Sequence, residues 1–182
     1  QELVKEAGVA LQTFYRHFEG KDHLLLAVME DIIAEGSSRF EAAASELENP
    51  LERLHFYVTG FLRTVRDEPI GPRFITAEHW RLHQLFPEEM TQATKPVTDL
   101  ILREIREAQA AGLIDPADPE RAAWLTTKLI MATYHHYAFA TKESAADVAE
   151  DVWLFCLNAL GGHASEPQPR TKGRRRANVR TR

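Results

Sequence analysis

Residues 7–25 are the most informative stretch of this chain, and they read AGVALQTFYRHFEGKDHLL. Gly8 can adopt the positive φ that ends a helix without strain, so one short helix is predicted to end there. The helical pattern then resumes, and Phe14 and Phe18, four residues apart, share its buried face. A long third helix is predicted to begin at Lys21. Two short helices around a glycine turn are the arrangement by which a protein presents a helix to the major groove of DNA.

The outer, N-terminal side of the second short helix carries side chains that suit contact with DNA. They are Leu11, Gln12, Thr13, Tyr15 and His17. Glutamine and threonine can hydrogen-bond to base edges, leucine can pack against a thymine methyl, and tyrosine and histidine can donate to phosphates. From the pattern alone, an ordinary helical hairpin with a polar outer face is the alternative.

The same stretch resembles the signature of TetR-type transcriptional regulators. The matching residues are EAGV at 6–9, TFYRHF at 13–18 and KDHLL at 21–25. The resemblance implies a set of DNA contacts: Leu11 and Gln12 facing bases, together with Thr13, Tyr15, His17 and Lys21, the last at a phosphate. It also implies that the first helix of a three-helix DNA-binding domain is missing from this sequence.

One departure from the family pattern concerns the start of the second short helix. Ala10 stands where the family usually has serine, so this helix lacks a side-chain N-cap. A cap of that kind contributes about 1 kcal/mol. Leu11 and Gln12 also differ from the common lysine and glycine, which leaves the base preference open.

The composition is that of an ordinary globular protein. The chain has 182 residues, of which 44% are hydrophobic and 27% charged. No apolar run approaches 18 residues and no secretory signal is visible, so we predict a cytoplasmic protein without a membrane span. The single Cys156 excludes an intramolecular disulfide and a cysteine-based zinc site.

Charge is distributed unevenly along the chain. Residues 163–182 carry seven Lys or Arg against one Glu, a balance of +6, so the rest of the chain sums to −11 within the total of −5. This tail has no apolar periodicity and is predicted to be disordered. It could attract phosphates, or it could be a solvated tail without a function.

Every long segment between residues 21 and 161 has helical periodicity, so the predicted fold is all-α. The expected helices are 21–44, one that begins at Asn49-Pro50, 73–85, one that restarts at Lys95-Pro96 and ends at Gly112, 118–141 and 145–160. We divide the chain into a partial helix-turn-helix domain (1–25), a helical effector-binding and dimerisation domain (26–162) and the basic tail (163–182).

The last two long helices are apolar on most of their sides. Val148, Val152 and Phe155 define one face of the final helix, while Trp153 and Leu157 cover another. Such a helix at the end of a small domain usually needs a partner subunit. We therefore predict a homodimer formed through these two helices, which would suit a palindromic operator and which the resemblance also implies.

Aromatic and histidine side chains are concentrated in residues 55–83 and 124–139. Rings with a few polar tips are typical of small-molecule pockets, and the resemblance implies an effector cavity among the middle helices. By helical phase, the candidate ligand-binding residues are Phe61, Trp80, His83 and Tyr134. The alternative is that these side chains simply belong to the core.

The histidines raise the question of a metal site or an enzyme. His79 and His83 have the four-residue spacing that can place two imidazoles on one metal ion, and His135 and His136 could approach them. No HExxH motif, phosphate loop, nucleophile elbow or carboxylate dyad supports either function. We predict no metal, no cofactor and no catalytic residue.

The leading hypothesis is a transcriptional repressor that a small-molecule effector releases from double-stranded operator DNA. A second hypothesis is a sensor dimer without DNA binding, because residues 1–23 carry three basic against four acidic side chains. A third is an all-α, metal-dependent enzyme built on the histidines.

Overall fold

The computed structural model describes residues 5–67, 70–139 and 145–162. Within these ranges the chain forms seven helices and no strand, which confirms the predicted all-α fold. The helices are α1 (Leu11–His17), α2 (Lys21–Ala44), α3 (Pro50–Asp67), α4 (Ile70–Leu85), α5 (Pro87–Ala110), α6 (Pro119–Tyr137) and α7 (Ala149–Ala159). The basic tail and the predicted end of a helix at Thr141 lie outside the described residues.

The predicted helix ends are set by the residues expected to cap them. Gly8 and Gly112 both adopt positive φ, at 64° and 71°. The Asn49 side chain accepts a hydrogen bond from the Leu51 amide at 2.8 Å, and that of Asp118 accepts one from the Arg121 amide at 2.9 Å. No side chain caps α1 at Ala10, as the sequence predicted.

Proline positions made one predicted boundary wrong. The preceding helix ends at Leu85 as predicted, but helix α5 begins at Pro87 and continues through Pro96, whereas the sequence predicted its start at Lys95. A proline in the first turn loses no intrahelical bond, which explains the start at Pro87. The helix passes Pro96 because its buried face, with Met90, Ala93 and Val97, continues on both sides of it.

The first residues of α4 and α7 also differ from the prediction. Helix α4 begins at Ile70 rather than Arg73, with Pro72 tolerated in its first turn. Helix α7 begins at Ala149, because residues 145–147 form turns instead of extending the helix.

Helix α5 is the centre of the body. It packs against α2, α3, α4 and α6, while α7 packs mainly on α3. The main core is made of side chains from α3, α5, α6 and α7, among them Leu54, Leu62, Ile101, Ile130 and Leu157. Because α5 contacts four helices, it lies at the centre of the body and lines both of the larger spaces between the helices.

A buried ion pair links α3 to α5. Glu104 has no exposed surface, and its carboxylate accepts hydrogen bonds from Arg53 at 2.7 Å and Arg103 at 3.1 Å. Arg53 also donates to the carbonyls of Leu47 and Glu48 at 2.8 and 2.9 Å. A buried carboxylate is costly unless it is paired in this way, so these contacts fix how the two helices lie against each other.

Helix α7 is buried on one side only. Trp153, Cys156 and Leu157 face the body, whereas Leu154 is exposed and Phe155 has 66% of its surface exposed. Leu125 on α6 is exposed as well. Among the described helices, none is both long and apolar enough to cross a bilayer.

Candidate DNA-contact helix, effector cavity and cleft

Helix α1 presents the predicted DNA-contact residues on the surface of the protein. None of its residues is buried, and Tyr15 is 61% exposed. Leu11, Gln12 and His17 are also exposed, and Thr13 is half-buried. The rings of Phe14 and Phe18 lie 5.5 Å apart and are half-buried, so the aromatic face that the sequence predicted as buried is only partly covered in the described residues.

Two basic residues extend this surface. Lys21 is exposed as the first residue of α2. Arg16, which was not selected from the sequence, lines a shallow groove with Gln12, Thr13 and Tyr15. Its position in the turn next to Tyr15 was a signal available in the sequence. The groove therefore combines hydrogen-bonding tips with a positive charge, the features that contact with DNA requires.

The start of α2 is attached to the end of α4. Arg81 donates to the Asp22 carboxylate at 2.7 Å and to the Glu78 carboxylate at 2.8 Å. The His23 ring lies 4.9 Å from the Phe86 ring. The helix that follows the candidate DNA-contact helix is thus held by a charged fork on α4.

A mainly apolar cavity of about 180 Å³ lies in the middle of the body. Five helices line it, with side chains that are mostly branched or aromatic: Ile32, Ile33, Gly36, Phe40, Phe61, Thr64, Ile75, Thr94, Val97, Thr127, Ile130, Met131 and Tyr134. Burial raises the pKa of Tyr134 to about 12, so its hydroxyl stays neutral. A concave, mainly apolar space with a few polar tips is typical of a small-molecule site.

Two glycines shape this cavity. A Cβ atom at Gly60 would lie only 2.6 Å from Cε1 of Phe40, so glycine lets Phe40 occupy its place against Phe61, at a ring distance of 4.2 Å. At Gly36, a Cβ atom would meet nothing within 4 Å. The space beside Gly36 is therefore open, and a larger side chain there could enter it.

A second, more polar cleft of about 790 Å³ lies between α4, α5 and α6. Its wall includes three histidines and two tryptophans: His79, His83, His135, Trp80 and Trp124. The His79 ring lies 4.7 Å from the His83 ring and 4.4 Å from the His135 ring. The side chains of Thr94, Thr127 and Met131 line both the cavity and the cleft, so they form the wall between them.

Burial keeps two of these imidazoles neutral. Burial, and then electrostatic repulsion from protonated His135, protonated His83 and Lys128, disfavours the charged form of His79 and lowers its pKa to about 3. Burial and the nearby His83 lower the pKa of His135 to about 4. The pKa of His83 is lowered as well, mainly by burial and to a smaller extent by the positive charge of Lys128.

The four predicted ligand-binding residues fall into two separate spaces. Phe61 and Tyr134 line the apolar cavity, whereas Trp80 and His83 line the cleft. The wall that α2 contributes, with Ile32, Ile33 and Phe40, was not selected, because apolar residues at helical spacing are typical of any core. Among the described residues, no group of three or more His, Cys, Asp or Glu is placed to hold a metal ion.

The chain is thus an all-α protein in which an exposed helix with candidate DNA-contact side chains precedes a helical body that contains an apolar cavity. Residues 1–28 match the family model described as bacterial regulatory proteins, tetR family. No curated protein matches the chain in sequence.

Several solved structures share the fold. One is a bacterial regulatory protein in the tetR family from Rhodococcus, 21% identical over 90% of this chain and 86% of that chain, with a TM-score of 0.67. A second is the transcriptional regulator FadR from Bacillus subtilis in complex with stearoyl-CoA, at 17% identity, coverages of 86% and 85%, and a TM-score of 0.66. A third is a transcriptional regulator of the TetR/AcrR family from Thermobifida fusca. It is 24% identical over 85% of this chain and 82% of that chain, with a TM-score of 0.63.

The match of residues 1–28 and the shared fold both point to TetR-family transcriptional regulators. The family resemblance stated from the sequence is therefore confirmed.

The neutral state of His79 predicts a pH dependence of stability. The unfolded chain binds more protons than the folded one between about pH 3 and pH 6.5, so stability falls as the pH drops through this window. Between pH 7 and pH 5 the wild type should lose about 2 kcal/mol more of its free energy of unfolding than His79→Gln does. Urea unfolding at a series of pH values measures this difference.

The control is His17→Gln, which changes an exposed histidine on α1 and should leave the pH dependence of the wild type unaltered. If the free energies of unfolding of His79→Gln and the wild type fall in parallel between pH 7 and pH 5, His79 is not held neutral by the fold.

Proposed function

We propose that the protein is a homodimeric repressor that leaves its operator when a small apolar effector occupies the cavity. The observation that carries this proposal is the position of α4. Ile75 of this helix lines the cavity, and Arg81, less than two turns further on, is paired with Asp22 beside Lys21. One helix therefore contacts both the cavity and the first turn of α2, directly after the candidate DNA-contact helix.

Helix α2 makes the same connection from the other side. Its first turn carries Lys21 and Asp22, and its middle, with Ile32 and Gly36, lines the cavity. An effector that binds better to one arrangement of α2 and α4 than to another shifts the population between the two. Such a shift changes operator affinity by the ratio of the effector's affinities for the two states.

The proposed dimer uses the uncovered apolar side chains of α6 and α7. Leu125, Leu154 and Phe155 are exposed, and they lie on the two helices that the sequence predicted as the interface. A second copy would cover them around a two-fold axis. That symmetry places two DNA-contact helices on the two halves of a palindromic operator. A regulator of this kind works where the DNA is, in the cytoplasm.

The size and polarity of the cavity indicate the class of effector. An apolar cavity of about 150 Å³ is large enough to bind benzene, so one of about 180 Å³ accommodates an apolar group of that size. The similar FadR structure contains stearoyl-CoA, a ligand with a long apolar chain. That structure supports an apolar effector for this fold without identifying the effector of this chain.

DNA binding is tested on duplexes selected from a random-sequence pool by the full chain. We expect Tyr15→Ala to weaken binding to the selected duplex about tenfold or more, with the dimer unchanged. Lys21→Ala should weaken binding to all duplexes alike and lower the salt dependence by about one ion, as expected for a phosphate contact. Lys95→Ala, an exposed lysine on the body, is the matched control.

If the selection enriches no sequence, the protein is instead the sensor dimer without DNA binding that the acidic balance of residues 1–23 allows. Equal losses for Tyr15→Ala and Lys95→Ala would show that α1 is not the contact helix.

The cavity is tested by filling it from Gly36. We expect Gly36→Leu to place its side chain in the open space and to abolish binding of the neutral probe 4-phenylbutan-1-ol. The fold should be retained, because leucine is a better helix former than glycine by about 0.5–1 kcal/mol. Calorimetric titration measures the affinity of the probe.

The matched variant is Gly36→Ala, which adds one methyl group and should keep most of the affinity for the probe. Undiminished binding to Gly36→Leu would mean that the probe binds elsewhere.

A further inference from the structure

The cavity and the cleft are neighbouring spaces of opposite character. They share the side chains of Thr94, Thr127 and Met131 and no other wall residues. The Thr127 hydroxyl donates to the Ala123 carbonyl at 2.8 Å, and that of Thr94 donates to the Met90 carbonyl at 3.1 Å. Both hydroxyls thus donate hydrogen bonds within their own helices, so they need no hydrogen bond from a ligand that lies beside them.

Met131 is the movable part of this wall. Its side chain is half-buried and lies between the two spaces. Methionine is unbranched and adapts its conformation readily. A change of its side-chain conformation is therefore the smallest movement that would join the cavity to the cleft.

The cleft contains two buried polar atoms without a partner. His79 and His135 are 5% and 6% exposed. Among the described residues, neither Nδ1 of His79 nor Nε2 of His135 has a hydrogen-bond partner. Nδ1 of His135 lies 2.9 Å from the Thr76 hydroxyl, and donation by Thr76 would leave the ring proton on the unpartnered Nε2. Buried polar atoms are nearly always satisfied, so these two are available to hydrogen-bond a group that enters the cleft.

The cleft also contains a lysine without an acidic partner. Lys95 is paired with Asp99 at 2.5 Å, and both line the cleft. Lys128, in contrast, has no ion pair among the described residues, and its amine lies 5.8 Å from the centre of the Trp124 ring. Its charge contributes to the lowered pKa values of His79 and His83. The acid in the cleft is therefore already neutralised, while one positive charge is not.

We propose that the effector is an amphipathic monocarboxylic acid whose apolar part fills the cavity and whose carboxylate lies in the cleft against Lys128 and the imidazoles of His79 and His135. This inference rests on the proposed function and adds the chemical class of the effector. One carboxylate matches the single unpaired charge, and its two oxygens accept hydrogen bonds from the ammonium and from an imidazole N–H. An amine would meet Lys128 as a like charge.

The test compares two probes that differ only in the terminal group, 4-phenylbutanoate and 4-phenylbutan-1-ol. Their affinities for the full chain are measured by calorimetric titration in the presence of EDTA, which removes any metal from the histidines. We expect the acid to bind at least tenfold more tightly than the alcohol. Lys128→Gln should remove this advantage while leaving the affinity for the alcohol unchanged.

The control is the double variant Lys95→Gln, Asp99→Asn, which removes the neutral ion pair of the same cleft as a whole and should keep the preference for the acid. Gly36→Leu should lose both probes, because each needs the cavity for its ring. Equal affinities of acid and alcohol, or an undiminished preference in Lys128→Gln, would overturn the acid proposal while leaving the apolar cavity as the effector site. If neither probe binds, both the acid proposal and the cavity as effector site are wrong.

Discussion

The fork of Arg81 is the interaction on which the functional account depends. Its guanidinium reaches Glu78 on its own helix and Asp22 at the start of α2. Arginine suits this position because its planar group can hold two carboxylates in fixed directions, which the single ammonium of a lysine cannot do. The pair is partly exposed, so it contributes little to stability. Its value is geometric, because it fixes the position of α4 relative to α2, the helix that follows the candidate DNA-contact helix.

Two neighbouring spaces of different polarity, the cavity and the cleft, lie beside α4. On one side the cavity is lined by branched and aromatic side chains, and on the other the cleft presents imidazoles, a lysine and tryptophan rings. Close contact of α2 with α3 at Gly60 positions Phe40 in the cavity wall. The paired Glu104 fixes α3 on α5 from the far side of the core. The cavity is thus surrounded by helices that are firmly joined, with α4 attached to the DNA-contact region by a surface pair.

Local sequence signals predicted much of the fold. The glycines at 8 and 112 and the caps at Asn49 and Asp118 set helix ends where expected, because each acts through its own backbone or the next turn. The start of α5 was mispredicted because a proline usually marks a helix boundary. Here the apolar face of α5 is buried on both sides of Pro96, and this packing outweighs the hydrogen bond that the proline removes. The sequence also gave no sign that the four candidate ligand-binding residues would line two different spaces. Helical phase gives the side of a helix that is covered, whereas only packing shows whether Trp80 and Tyr134 face the same space.

The central claim is that an effector bound in the cavity alters the DNA-contact helix through the ion pair of Arg81 with Asp22. The most direct measurement is the operator affinity of the wild type and of Arg81→Gln, each with and without saturating 4-phenylbutan-1-ol. The account predicts that the probe weakens operator binding of the wild type by about 5- to 150-fold and that this factor falls close to one in Arg81→Gln. A variant that responds to the probe as strongly as the wild type, or a wild type that does not respond, would contradict it.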